Sequence, residues 1–211
     1  MHATVIEKNP MLFKESLDSL NIRIDYLKSK KFTEEAIAEM VIKAPRILGL
    51  NVEKLDSKLG WFQNEFDLTA SELRQIVHSR PKLITLPLKI ISDVRFCLKE
   101  FLSFSDSTIK SFIKTYPKLF TKDFKIIEAN YNYITKVMKL SDQQIINYPP
   151  ILQAPLLLIK TRYAFLKHLD RLQFDPTLSN YIPVKSIIEP IETKFVEKYA
   201  KSNIIEYKKF L

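Results

Sequence analysis

The chain has 211 residues, 46% of them hydrophobic, and no apolar run of 18 residues, which fits one domain or one repeat array and speaks against a transmembrane span. Its two glycines, Gly49 and Gly60, have the spacing of neither a P-loop nor a dinucleotide fingerprint, and their scarcity favours helices joined by short turns. The formal charge of +9 leaves two readings open: a basic solvated surface, or an electrostatic footprint for nucleic acid or anionic membrane.

Met1-His2-Ala3-Thr4-Val5-Ile6 fits neither an apolar signal peptide nor an Arg/Ser-rich presequence. It begins inside a repeat, so the expectation is an N-terminally truncated array with any targeting segment outside it. Pro10-Met11-Leu12-Phe13 is the first of five motifs made of proline, any residue and two apolar residues. Pro45-Arg46-Ile47-Leu48, Pro81-Lys82-Leu83-Ile84, Pro117-Lys118-Leu119-Phe120 and Pro149-Pro150-Ile151-Leu152 follow at spacings of 35, 36, 36 and 32. Such a period signals stacked helical units, none of which buries its apolar face alone. An apolar residue stands four positions before each proline (Ile6, Val41, Val77, Ile113, Ile145). The proline ends that helix, and the motif itself is predicted to form a single 3₁₀ turn.

A first helix of roughly four turns is predicted after each motif. Its apolar face returns seven residues on (Leu17, Val52, Leu88, Phe124, Leu156), ten on (Leu20, Leu55, Ile91, Ile127, Ile159) and seventeen on (Leu27, Phe62, Leu98, Ile134, Leu166). A second helix is announced by an apolar residue and a hydroxyl cap: Phe32-Thr33, Leu68-Thr69, Phe104-Ser105 and Leu140-Ser141. Thr69 to Glu72 and Ser141 to Gln144 have capping-box spacing. Leu140 lies nine residues before its proline where the earlier apolar residues lie 13 before theirs, so the fourth second helix is predicted one turn short. From Phe174 the register fails. The expected organisation is a repeat array over residues 1–175 and capping helices over 176–211, all-α throughout.

Basic residues recur in two rows. The position after the motif proline is Arg46, Lys82 and Lys118, with Met11 and Pro150 departing. Thirteen residues after the proline stand Arg23, Lys58 and Arg162, with Val94 and Asn130 departing and Arg95 shifted by one; Lys160 completes the set. In a solenoid equivalent positions line up, so these rows are candidate phosphate contacts, the thirteenth-position stems packing on the core edge and their heads facing solvent. Phe62, Phe66, Phe96, Phe101, Phe104 and Phe112 are expected mostly in the core. Tyr131, Tyr133 and Tyr163 are candidates for base stacking, although Tyr131 and Tyr163 stand at a core-facing position. Cys97 is the single cysteine, so no intramolecular disulfide can form, and its apolar surroundings read as those of a buried structural thiol. His2, His78 and His168 have no ligand spacing, and Glu34-Glu35 follow a cap where they complement the helix dipole. No metal, cofactor or catalysis is expected.

The five motifs in register, with two helices between successive prolines, resemble the mitochondrial transcription termination factor (mTERF) family from Pro10 to about Leu172. The likeness narrows to one animal branch through Tyr26-Leu27-Lys28-Ser29-Lys30-Lys31-Phe32, Met40-Val41-Ile42-Lys43-Ala44-Pro45 and Leu59-Gly60-Trp61-Phe62-Gln63. Phe165-Leu166, Arg171, Phe174-Asp175-Pro176 and Asn180-Tyr181-Ile182 extend it. The resemblance implies a curved superhelical solenoid with a basic concave groove. It also implies a monomer of the mitochondrial matrix that represses mitochondrial DNA transcription by binding double-stranded DNA. A link to ribosomal RNA and large-subunit biogenesis stays open beside this, with transcription or ribosome-assembly proteins as partners and no membrane. A scaffold whose groove holds a protein partner is the reading of another class.

Overall fold

The computed structural model describes residues 9–211, so Ile6, His2 and the expected open N-terminal edge lie outside the described residues. The chain forms two compact units, residues 1–122 and 123–211, a division inside the stretch that the sequence reads as one array. No strand occurs among the described residues.

In the first unit each of the first three proline motifs makes a short turn followed by two helices. Turn 1 (Pro10–Lys14) leads to α1 (Leu17–Ser29) and α2 (Glu34–Lys43). Turn 2 (Pro45–Gly49) leads to α3 (Val52–Phe66) and α4 (Ala70–Ser79). Turn 3 (Lys82–Thr85) leads to α5 (Leu88–Phe96) and α6 (Asp106–Thr115), and turn 4 (Pro117–Thr121) closes the unit. Turns 1, 2 and 4 are 3₁₀ as predicted, whereas turn 3 is a single α turn. The second unit holds α7 (Phe124–Lys136), α8 (Asp142–Asn147), turn 5 (Pro149–Gln153) and α9 (Leu156–His168). Turn 6 (Val184–Ile188), α10 (Glu192–Lys194, continuing as a π-helix over Phe195–Ala200) and α11 (Ile204–Phe210) complete it.

The local signals act where the sequence places them. Thr33, Thr69, Ser105 and Ser141 each accept a backbone N–H from three residues on, and both predicted capping boxes close. A cap of this kind contributes about 1 kcal/mol. The second helices α2, α4 and α6 have 10 residues each and α8 has 6, the turn lost as spacing foretold. The corner between the two helices of a repeat is a residue in the left-handed region: Lys31 (φ 64°), Asp67 (φ 49°), Ser103 (φ 57°) and Lys139 (φ 58°). At Lys31 and Asp67 the next amide reaches back to Leu27 and Gln63, closing the helix end. These corners have no glycine, so each carries roughly 1 kcal/mol of backbone strain.

The paired apolar residues of the motifs anchor the turns: Ile47, Leu48, Leu83, Ile84, Leu119, Phe120, Ile151 and Leu152 are buried. Leu55, Ile91, Ile127 and Ile159 at the tenth position, and Leu27, Phe62, Leu98, Ile134 and Leu166 at the seventeenth, join them. The seventh position is the rim of this face, and Leu17 there is exposed. Helix α5 widens into a π-helix over Cys97–Phe101. One extra residue rotates the face, so Cys97 and Leu98 stay buried while Phe96 and Phe101 turn outward, 56% and 57% exposed and edge to face at 5.6 Å. This corrects their expected place in the core.

Residues 169–183 form an irregular stretch where a second helix would stand, and turn 6 then restores the pattern. Val184 takes the place of the proline, 35 residues after Pro149. Phe195 and Tyr207 of the last helices pack around Phe165 and Arg162, with Phe165 and Tyr207 ring centroids 4.8 Å apart and the Arg162 guanidinium 4.4 Å from the Phe195 ring centre.

Candidate nucleic-acid interface

The two basic rows part company in three dimensions. In each turn the paired apolar residues are drawn into the core, which leaves the residue before them pointing outward. Arg46, Lys82 and Lys118 are exposed for this reason. Arg46 and Lys82 line one cleft of about 420 Å³ with Lys43, Pro45, Thr85 and Leu86. Among the described residues neither Arg46 nor Lys82 has an ion-pair partner, whereas Lys43 is bound to Glu39 at 2.8 Å. Two uncommitted cations on one concave surface are suited to phosphate.

The thirteenth-position row does different work. Arg23 is 8% exposed, donates to the Leu48 carbonyl at 2.5 Å and pairs with Glu15 at 2.8 Å. Lys58, half-buried, donates to the Leu86 carbonyl, and burial pushes its ammonium below the ordinary lysine range. Asn130 donates to the carbonyls of Ile151, Leu152 and Ala154 at 3.3, 2.9 and 2.8 Å. Arg162, 2% exposed, donates to those of Ile187 and Glu189 at 3.2 and 2.6 Å. The heads of Arg23 and Arg162 therefore do not face solvent, as the sequence had led one to expect. A short turn ends with carbonyls that no following helical amide reaches, and such groups must find a donor when buried. The first helices α1, α3, α7 and α9 supply that donor to the next turn, whereas α5 carries Val94 at this position and supplies none from it.

Arg95 is also committed. It pairs with Glu65 at 3.2 Å and Asp106 at 3.0 Å, and Lys99 reaches the same Asp106 at 2.7 Å. The Lys99 ammonium, with Arg95 behind it, holds the Asp106 carboxyl below the ordinary carboxylate range. Lys160 is exposed, its ammonium 5.5 Å from the centre of the Tyr133 ring, which meets Tyr163 edge-on at 6.1 Å. Tyr131 donates to Asp142 at 2.8 Å, and burial together with that carboxylate pushes its phenol up to about 12.

With this arrangement in view, comparison with known proteins decides the lineage: the mTERF family model matches residues 2–185. The chain belongs to the mTERF family. It is 34% identical over 204 residues to the mitochondrial transcription termination factor 3 of Drosophila melanogaster, covering 97% of this chain and 58% of that protein. The proteins of the same name from Rattus norvegicus and Mus musculus are 32% and 34% identical over 206 residues, 98% of this chain and 50% of each. The chain thus spans about half the length of these curated relatives.

Two residues of this mTERF-family chain escape a reading by motif. Asn130 looked like a departure from a basic row, yet its neutral amide does what Arg23 and Arg162 do, donating to the carbonyls of the next turn. Lys185 follows Val184 as Lys82 follows Pro81, and it is exposed. Its signal was lost because no proline marks the turn.

Proposed function

We propose that this chain binds nucleic acid through exposed cations at the second position of its turns, Arg46, Lys82 and Lys118, with Lys185 as the equivalent residue of turn 6 and Lys160 as a further contact. The observation that carries the reading is the cleft where Arg46 and Lys82 stand together without acidic partners among the described residues. In this reading Arg23, Lys58 and Arg162 hold the turns that present these cations, and Arg95 belongs to an internal ion-pair cluster. The relatives' names, mitochondrial transcription termination factors, support a mitochondrial regulator of transcription. Contacts made to phosphate by these cations fit double-stranded DNA held by its backbone and a factor that lowers mitochondrial transcription. The protein acts as a binding factor and not as an enzyme.

Salt titration of binding to a labelled DNA duplex tests this. The logarithm of the association constant should fall by about 0.9 per phosphate contact for each log unit of salt. A flat salt response would sink the proposal and favour a scaffold for a protein partner.

A further inference from the structure

The second unit contains a cleft at the place in the repeat that the Arg46–Lys82 cleft occupies in the first, but with different chemistry. The first is lined by Lys43 and Ala44, the two residues before Pro45, and by Lys82 of the next turn. The second, about 390 Å³, is lined by Asn147 and Tyr148, the two residues before Pro149, and by Lys185 of the next turn. An amide stands where the first cleft has an ammonium, and a phenol ring where it has a methyl group. The irregular stretch before turn 6 brings a second ring, Tyr181, which is 40% exposed. Its neighbour Ile182 is buried and donates its amide to the Gln173 carbonyl at 2.7 Å, so Tyr181 is carried on an anchored segment.

We infer that this second cleft holds one unpaired nucleotide, its base against the Tyr148 and Tyr181 rings and its phosphate on Lys185, so that a single strand is a ligand of this chain. The inference rests on the nucleic-acid reading above and adds the form of the strand. Aromatic faces accept any base by stacking, and a base is available for stacking only when it is out of the duplex. Asn147 accepts from Gln143 at 3.0 Å, and its own Nδ2 donates to nothing among the described residues, which leaves it for a base edge. Gln144, also in the wall, is taken: it accepts from Ser141 and donates to the Phe174 carbonyl at 2.7 Å. Lys185 has no ion-pair partner among the described residues. Burial, with Glu189 and Tyr199 nearby, holds the Tyr148 phenol above its ordinary range, so it stays neutral beside a phosphate. The volume suits a small ligand and not a helix.

The test is binding of the full chain to a short single-stranded RNA, the same sequence as single-stranded DNA, and its duplex. Tyr181→Ala should weaken both single strands about tenfold and leave the duplex unchanged, whereas Lys82→Glu should weaken all three. The two single-stranded probes separate an RNA loop from a melted DNA strand as the source of the nucleotide. A photoreactive pyrimidine in the single strand should crosslink the wild-type chain near Tyr148 or Tyr181. Single-strand affinity indifferent to Tyr181→Ala, or crosslinks confined to residues 9–122, would overturn the inference while Lys82-dependent duplex binding upheld the broader reading. Absence of binding to all three probes would remove both.

Discussion

Turn 2 of the first unit and turns 5 and 6 of the second meet the same difficulty with different side chains. In each, carbonyls at the end of a short turn face the preceding long helix. Arg23 answers at turn 2, Asn130 at turn 5 and Arg162 at turn 6. A guanidinium and a neutral amide serve alike at these three turns because each donates hydrogens to the same kind of carbonyl. The exposed second positions differ in the opposite sense. There Arg46 and Lys82 in the first unit and Lys185 in the second are exposed and have no ion-pair partner among the described residues. A basic residue in this repeat thus has two meanings, and burial separates them.

The sharpest way to break this comparison is Arg162→Met. If Arg162 is a turn-holding donor, the variant leaves the Ile187 and Glu189 carbonyls unsatisfied in a buried place and costs about 3 kcal/mol in urea unfolding. A variant as stable as the parent that binds nucleic acid more weakly would return Arg162 to the phosphate-facing row. Asn130→Leu should cost about 2 kcal/mol by the same measurement, since a residue of similar volume supplies no donor. The exposed row behaves differently. Arg46→Ala with Lys82→Ala should leave unfolding within about 0.5 kcal/mol of the parent and lower the salt slope of duplex binding by about 2.

A weaker effect separates surface pairs from buried donors. Lys114, 2.6 Å away, and the Thr69 amide hold the Glu72 carboxyl at about 2. A depressed folded value stabilises above the unfolded carboxylate range, and the contribution fades as pH falls from about 4.5 toward 2. The difference in melting temperature between the parent and Glu72→Gln should therefore be largest at neutral pH and shrink by pH 3. The smallest effect belongs to the glycine-free corners. Lys139→Gly should raise stability, by at most about 1 kcal/mol, because the residue sits at φ 58°. An unchanged or lower midpoint would show that the side chain offsets the strain.

The elements were legible in the sequence because their signals are local. A proline ends a helix within one turn, a Thr or Ser cap acts on an amide three residues away, and four missing residues before Pro149 shortened α8 by one turn. The outward direction of Arg46 and Lys82 was equally legible, since it follows from the two apolar residues beside each. What the tertiary structure decided was the meaning of the flank of each first helix. Whether Arg23 or Arg162 reaches water depends on what packs against that flank, and it is the next turn, 25 residues on in both cases, that brings the carbonyls. The same holds for Phe96 and Phe101, which a π-helix rotated outward, and for Lys185, whose turn is recognised only when Arg162 is seen to hold it. Periodicity places a residue on a helix, but a side chain's partner is set by distances in space, and those exist only once the repeats have stacked.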